Sequence, residues 1–187
     1  MSDASRKSGS SRFKDLTFCY PAPAGLPVPV KPQRGSRESL EAIDSLDWNS
    51  VVSSQRAELV RAGAYWLHGF LEESHRIAQG IHSAEGSYWH ALMHRSEGDF
   101  GNSMYWFRRV GRHAIFPELL GAIKSRPANK PAGQKAWQEI AGAKEWDPQW
   151  LVDLCEAGSR GKFDDLNFVQ RISALEYDLL MGYCLQI

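Results

Sequence analysis

The chain has 187 residues, of which 43% are hydrophobic, and its 22 basic side chains balance 22 acidic ones. That length and composition fit one domain with a real core, and a zero net charge argues against a nucleic-acid binder, which normally carries a basic excess. No run of eighteen apolar residues occurs, so no membrane span is expected.

The first 35 residues differ from the rest. MSDASRKSGSSRFKD is polar and lacks the apolar region of a secretory signal. YPAPAGLPVPVKPQRG follows, with five prolines between Pro21 and Pro32 that favour an extended polyproline arm. Residues 1–35 are therefore expected to be an arm, and residues 36–187 a single domain.

From Ser36 onward the periodicity is helical almost throughout. Ser36 suits the cap of a short helix reaching about residue 46. A longer one is expected over 53–68, ending at Gly69, and another over 71–82 with Leu71, Ser74, Ala78 and Ile81 on one stripe. The next covers 87–97 and stops at Gly98. After the GDFG turn a helix is expected from a cap at Asn102 to His113. Pro117 opens a short helix to Lys124, SRPANKPAG is a loop, and 136–143 is helical. Asp147-Pro148 reads as cap and first turn of a helix ending at Gly158. The last, 165–185, places Phe168, Ile172, Leu175 and Leu179 at helical spacing.

No segment alternates as a strand does, so the class is all-α: a compact bundle of paired antiparallel helices, about seven or eight in number. Trp89, Leu92 and Pro117 fall where a tetratricopeptide repeat places its Trp, Leu and final Pro. Tyr105, however, stands where that repeat needs Ala, and no regular 34-residue self-similarity exists. The expectation is tetratricopeptide-like packing without an array.

Chemistry concentrates in SYWHALMHRSEGDFGNSMYWFRRVGRH, residues 87–113. Positions i, i+4 and i+7 share a helix face. His90, His94 and Glu97 therefore line up, while Tyr88, Trp89, Leu92 and Met93 form the core side. On the second helix Asn102, Trp106, Arg109 and His113 oppose a Phe100, Met104, Phe107 stripe. A lysine-free face of amide, indole, guanidinium and imidazole is unlike a plain solvated surface.

Because the turn is short, the two helices must pair antiparallel. His90, His94, Glu97, Asp99, Asn102 and Arg109 can then converge above Trp106. Histidine supplies an acid or base near neutrality, and Arg108, Arg109 and Arg112 suit a carboxylate or phosphate. A purely structural polar network is the competing reading, because buried polar groups must be paired.

Metal binding is a further expectation, weakly signalled. HALMH sets two imidazoles at i and i+4, and Glu72-x-x-His75 has the spacing of helical di-iron sites. Only one such ExxH motif is present, so a mononuclear divalent site from His75, His90 and His94 is the better fit. The zincin pattern is absent, because Ala91 occupies its glutamate position. Cys19, Cys155 and Cys184 show no CxxC spacing and read as reduced thiols of a cytoplasmic protein.

The run LEESHRIAQGIHSAEGSYWHALMHRSEGDFGNSMYWFRRVGRH resembles an uncharacterised, mainly bacterial all-helical family sharing a YWHxxMHRxEGDFxNSxYWFRRVGxH pattern. WDPQWLVDLC and VQRISALEYDLL continue the resemblance over most of residues 65–185. It implies a self-contained domain with its own signature and transfers no mechanism.

Two functions follow as expectations. The first is a binding module whose polar-aromatic pocket, built from Asp99, Asn102, Trp106, Arg108, Arg109 and His113, takes a small anionic ligand or a peptide of a protein partner. The second is a hydrolase or lyase using His90 and His94, with Glu97, as acid–base groups or metal ligands. Neither nucleic acid nor membrane is an expected partner.

Overall fold

The structure, a computed structural model, describes residues 34–186, all of whose regular elements are helices. The expected arm lies outside the described residues except for its last two positions. There Arg34 pairs with Glu73 at 2.6 Å and the Gly35 N–H donates to the His68 carbonyl at 2.8 Å.

Ten helices follow: α1 (Arg37–Ser45), α2 (Trp48–Val51), α3 (Ser54–Leu67), α4 (Leu71–Ala78) and α5 (Ala84–Glu97), then α6 (Phe100–Val110), α7 (Phe116–Lys124), α8 (Pro131–Ala141), α9 (Pro148–Ser159) and α10 (Leu166–Gln186). Local chemistry accounts for most of the boundaries. Ser36, Ser83, Asp99 and Asp147 each accept a first-turn N–H, and Pro131 and Pro148 open their helices. The expected cap at Asn102 is displaced to Asp99, whose carboxylate accepts the Asn102 N–H at 3.1 Å. α5 also begins earlier than expected, because Ser83 accepts from Gly86 N at 3.2 Å. α2 was not foreseen: a single turn is too short for any periodic signal.

α5 is the central element. Every residue from Gly86 to Ser96 is buried except His94, which is half-buried. Its two neighbours in sequence, α4 and α6, both pack on it. Small hydroxyl residues tie neighbouring helices together. The Ser74 hydroxyl on α4 donates to the Ala62 carbonyl of α3, and that of Ser103 on α6 donates to the Ala91 carbonyl of α5, both at 2.9 Å.

Beneath them α3, α5 and α10 meet in an aromatic core. Trp66 stacks on Tyr177 with centroids 5.5 Å apart, and Trp89 meets Tyr177 edge-on at 5.7 Å. Gly63 permits that approach, since an added Cβ would lie 2.6 Å from the Trp89 ring and 2.5 Å from Met181. α10 buries Phe168 and Ile172 as their spacing suggests, with Leu180 beside them. Leu175 and Leu179 are only half-buried, while Ser173, Glu176 and Tyr177 are buried. Glu176 is fully buried because both its oxygens are spent: it accepts from Tyr88 Oη at 2.9 Å and from the Arg95 guanidinium. Cys155 and Cys184 are buried as the sequence suggests, and burial pushes each thiol up to about 12.

A candidate three-histidine centre

α5 presents His90 and His94 one turn apart toward α4, and α4 answers with His75. The ligating atoms of these three imidazoles lie within 4.8 Å of one another. Ring centroids are 4.5 Å apart for His75 and His90, 5.4 Å for His75 and His94, and 4.9 Å for the stacked His90 and His94. Glu72, the other half of the ExxH motif, is not in the cluster; it is exposed and pairs with Arg76 at 3.8 Å.

The walls come from the α5–α6 hairpin. Gly98 takes a left-handed conformation at φ +82°, which ends α5 and lets Asp99 cap α6. That turn brings two carboxylates to His94: its Nδ1 lies 3.6 Å from Glu97 and 3.9 Å from Asp99. Asn102 donates its side-chain amide to Asp99 at 2.7 Å and holds that carboxylate in place. On the other flank Trp106 stacks on His90 with centroids 3.8 Å apart, and the Arg109 guanidinium lies 5.1 Å over Trp106.

Burial disfavours the charged form of two of the three imidazoles. Burial, reinforced by His75 and His94, pushes His90 down to about 3. Burial also lowers His94, against the opposing pull of Asp99. Glu97 is raised, by burial first, despite the nearby His75, while the hydrogen bonds from Asn102 lower Asp99. Neutral imidazole is the form that offers a lone pair. The Nδ1 atoms of both His90 and His94 are buried without a hydrogen-bond partner among the described residues. Buried polar atoms are normally paired, so two orphans in one cluster mark it out.

The residues singled out by sequence therefore divide. His75, His90, His94, Glu97, Asp99, Asn102, Trp106 and Arg109 form one continuous set of contacts. Within it Trp106 stacks on His90 and Arg109 lies over Trp106, while Asn102 and Arg109 themselves are exposed. Arg108 and His113 stand apart. Gly111, at φ 64°, follows the end of α6, and His113 beyond it is buried 5.3 Å from Tyr88 and 4.9 Å from Tyr183. Its Nε2 faces Glu85 at 3.6 Å, and burial lowers it. It does not continue the Trp106 stripe, because the helix stops three residues before it. Residues that sequence reasoning missed are Arg95 and Glu176, which anchor α5 from below; no local pattern links positions 81 apart.

The chain matches no known protein family, curated protein or solved structure.

Proposed function

We propose that His75, His90 and His94 hold one divalent transition-metal ion and that the protein is a metal-dependent hydrolase. The observation that carries this reading is the convergence of three imidazoles from two helices, with two buried ring nitrogens unspent. Imidazole donors suit zinc and its neighbours in the first transition row. Bonds of about 2.0–2.1 Å place tetrahedral ligands roughly 3.3 Å apart, so modest ring rotations would close the observed spread. Three protein ligands would leave room on such an ion for water or substrate, as in catalytic rather than structural zinc sites.

A bound ion supplies Lewis acidity, polarising a carbonyl or phosphoryl oxygen and making water a nucleophile near neutral pH. The chain's own residues then divide the remaining work. Asp99, fixed by Asn102 and 3.9 Å from His94 Nδ1, adds negative charge beside the ligating imidazoles without taking up that nitrogen. Glu97, at the exposed edge and raised by burial, accepts the proton that water loses as its oxygen bonds to the substrate carbon or phosphorus. That proton passes to the leaving oxygen as its bond breaks. Trp106, under Arg109, shields the His90 side.

Plasma emission spectrometry on zinc-loaded, desalted protein tests the metal, and turnover of a p-nitrophenyl ester and a p-nitrophenyl phosphodiester tests the reaction. About one zinc per chain, lost in His94→Ala, together with zinc-dependent turnover, is the expected result. Metal retained in full by His94→Ala would refute the site; stoichiometric zinc without turnover of either probe would refute hydrolysis while leaving the centre.

A further inference from the structure

Arg108 and His113, the expected ligand-binding residues left out of the histidine cluster, line a second feature. A cavity of 550 Å³ opens between the C-terminal half of α6, the segment after Gly111, the start of α7 and the loop leading into α9. Arg108 lies two residues from Trp106, about 200° around the helix, so this cavity and the histidine centre occupy different sides of α6. Its volume is within the 300–1,000 Å³ range of small-molecule sites.

The lining has two characters. Phe107, Phe116 and Trp146 are buried and supply an aromatic wall, with Met104 and Leu120 beside it. At the rim stand Arg108, Arg112 and Lys144 against Glu145 and Asp147. Arg112 is taken by Glu145 at 3.1 Å, and Asp147 is taken by the Gln149 N–H at the start of α9. Arg108 and Lys144 are exposed and have no ionic or hydrogen-bond partner among the described residues. Trp146 adds a buried Nε1 with no acceptor among them. An apolar wall, two unspent cations and one unspent donor together describe a complement to a specific chemistry.

We propose that this cavity binds a small organic anion, an aromatic or apolar body carrying a carboxylate or a similar acidic group. The ring system lies against Phe107, Phe116 and Trp146, and the acidic group is held by Arg108 in a bidentate pair with Lys144 as a second charge. A purely apolar ligand leaves both cations unused, and an inorganic anion leaves the aromatic wall unused. The site is independent of any metal at His75, His90 and His94.

The test is a fluorescence titration of the full chain, in chelator, with 1-anilinonaphthalene-8-sulfonate as an aromatic anion and N-phenyl-1-naphthylamine as its neutral counterpart. One saturable anion site per chain is expected, with the neutral probe bound at least about tenfold more weakly. The pair Arg108→Ala and Lys144→Ala should weaken the anion about tenfold or more, the loss expected for charge-assisted hydrogen bonds, and leave the neutral probe unchanged. Both positions are exposed, so far-UV circular dichroism should show an unaltered fold. Trp146→Phe, which keeps a ring and removes the donor, should cost a smaller factor. Equal binding of the two probes, or anion binding untouched by the double substitution, would overturn the proposal and leave only an apolar hollow.

Discussion

Two sets of buried polar groups lie on α5, and they are built in opposite ways. On one side Arg95 meets Glu176, which also accepts from Tyr88, so the two buried charges offset each other even though Arg95 Nη1 has no hydrogen-bond partner among the described residues. Burial alone would lower the Arg95 guanidinium, but the adjacent Glu176 outweighs it and holds it above its ordinary range. Tyr88 is pushed well above its range by burial and by the same carboxylate. On the other side His90 and His94 are buried with ring nitrogens unspent and are lowered instead. A paired set locks the helix in place. An unpaired set on the same helix is a cost, and the metal ligation proposed above is a role that its geometry fits.

The largest effect should come from breaking the paired set. Glu176→Ala strands a buried guanidinium and should cost about 3–5 kcal/mol in urea unfolding, whereas Arg95→Met with Glu176→Leu should recover most of the loss. A cost under about 1 kcal/mol for the single change would erase the contrast between the two sides.

Acid should act on the unpaired set next. In chelator-stripped protein the folded values of His68, His90, His94 and His113 lie below their unfolded values, with burial the first cause in each. Groups lowered in this way take up protons on unfolding, so their stabilising effect is complete above about pH 6.5 and is lost as pH falls below it. His90, held near 3, should by itself cost about 2 kcal/mol between pH 6.5 and 5. A urea midpoint that stays level from pH 7.5 to 5 would show that these imidazoles are better solvated than their burial indicates.

Exposed pairs should matter least. Glu145→Ala removes the Arg112 partner at the surface and should shift stability by under about 1 kcal/mol. Because it also frees a third cation at the cavity rim, it should tighten the aromatic anion while leaving stability almost unchanged. Weaker anion binding in this variant would argue that Glu145 faces the ligand itself.

How much of this was legible in the sequence depended on distance along the chain. The α5–α6 hairpin was legible because Gly98 and the GDFG turn are local signals, and the His90–His94 face because i, i+4 spacing is. His75 could be named as their partner only because the chain returns through a short turn after α4. Glu97 and Asp99 beside His94 followed from the same tight connection. What could not be read were contacts made at long range. Glu176 looked like one acid on an amphipathic helix whose Phe168 and Ile172 marked the core, yet it is itself buried and pairs with Arg95. Trp106 was expected beneath His90, but the close stacking of the two rings could not be read from their spacing. The cavity by Arg108 depends on Lys144 and Trp146, more than thirty residues away, in a loop with no motif of its own.

The central claim is tested most directly by calorimetric titration of zinc into the stripped full-length chain and into His75→Ala and His90→Ala, each first shown to be folded. The account predicts one zinc ion per wild-type chain and an affinity more than about 100-fold weaker in either variant, beyond the loss typical of outer-layer changes. Zinc binding that is absent from the wild type, or equally tight in both variants, would contradict it.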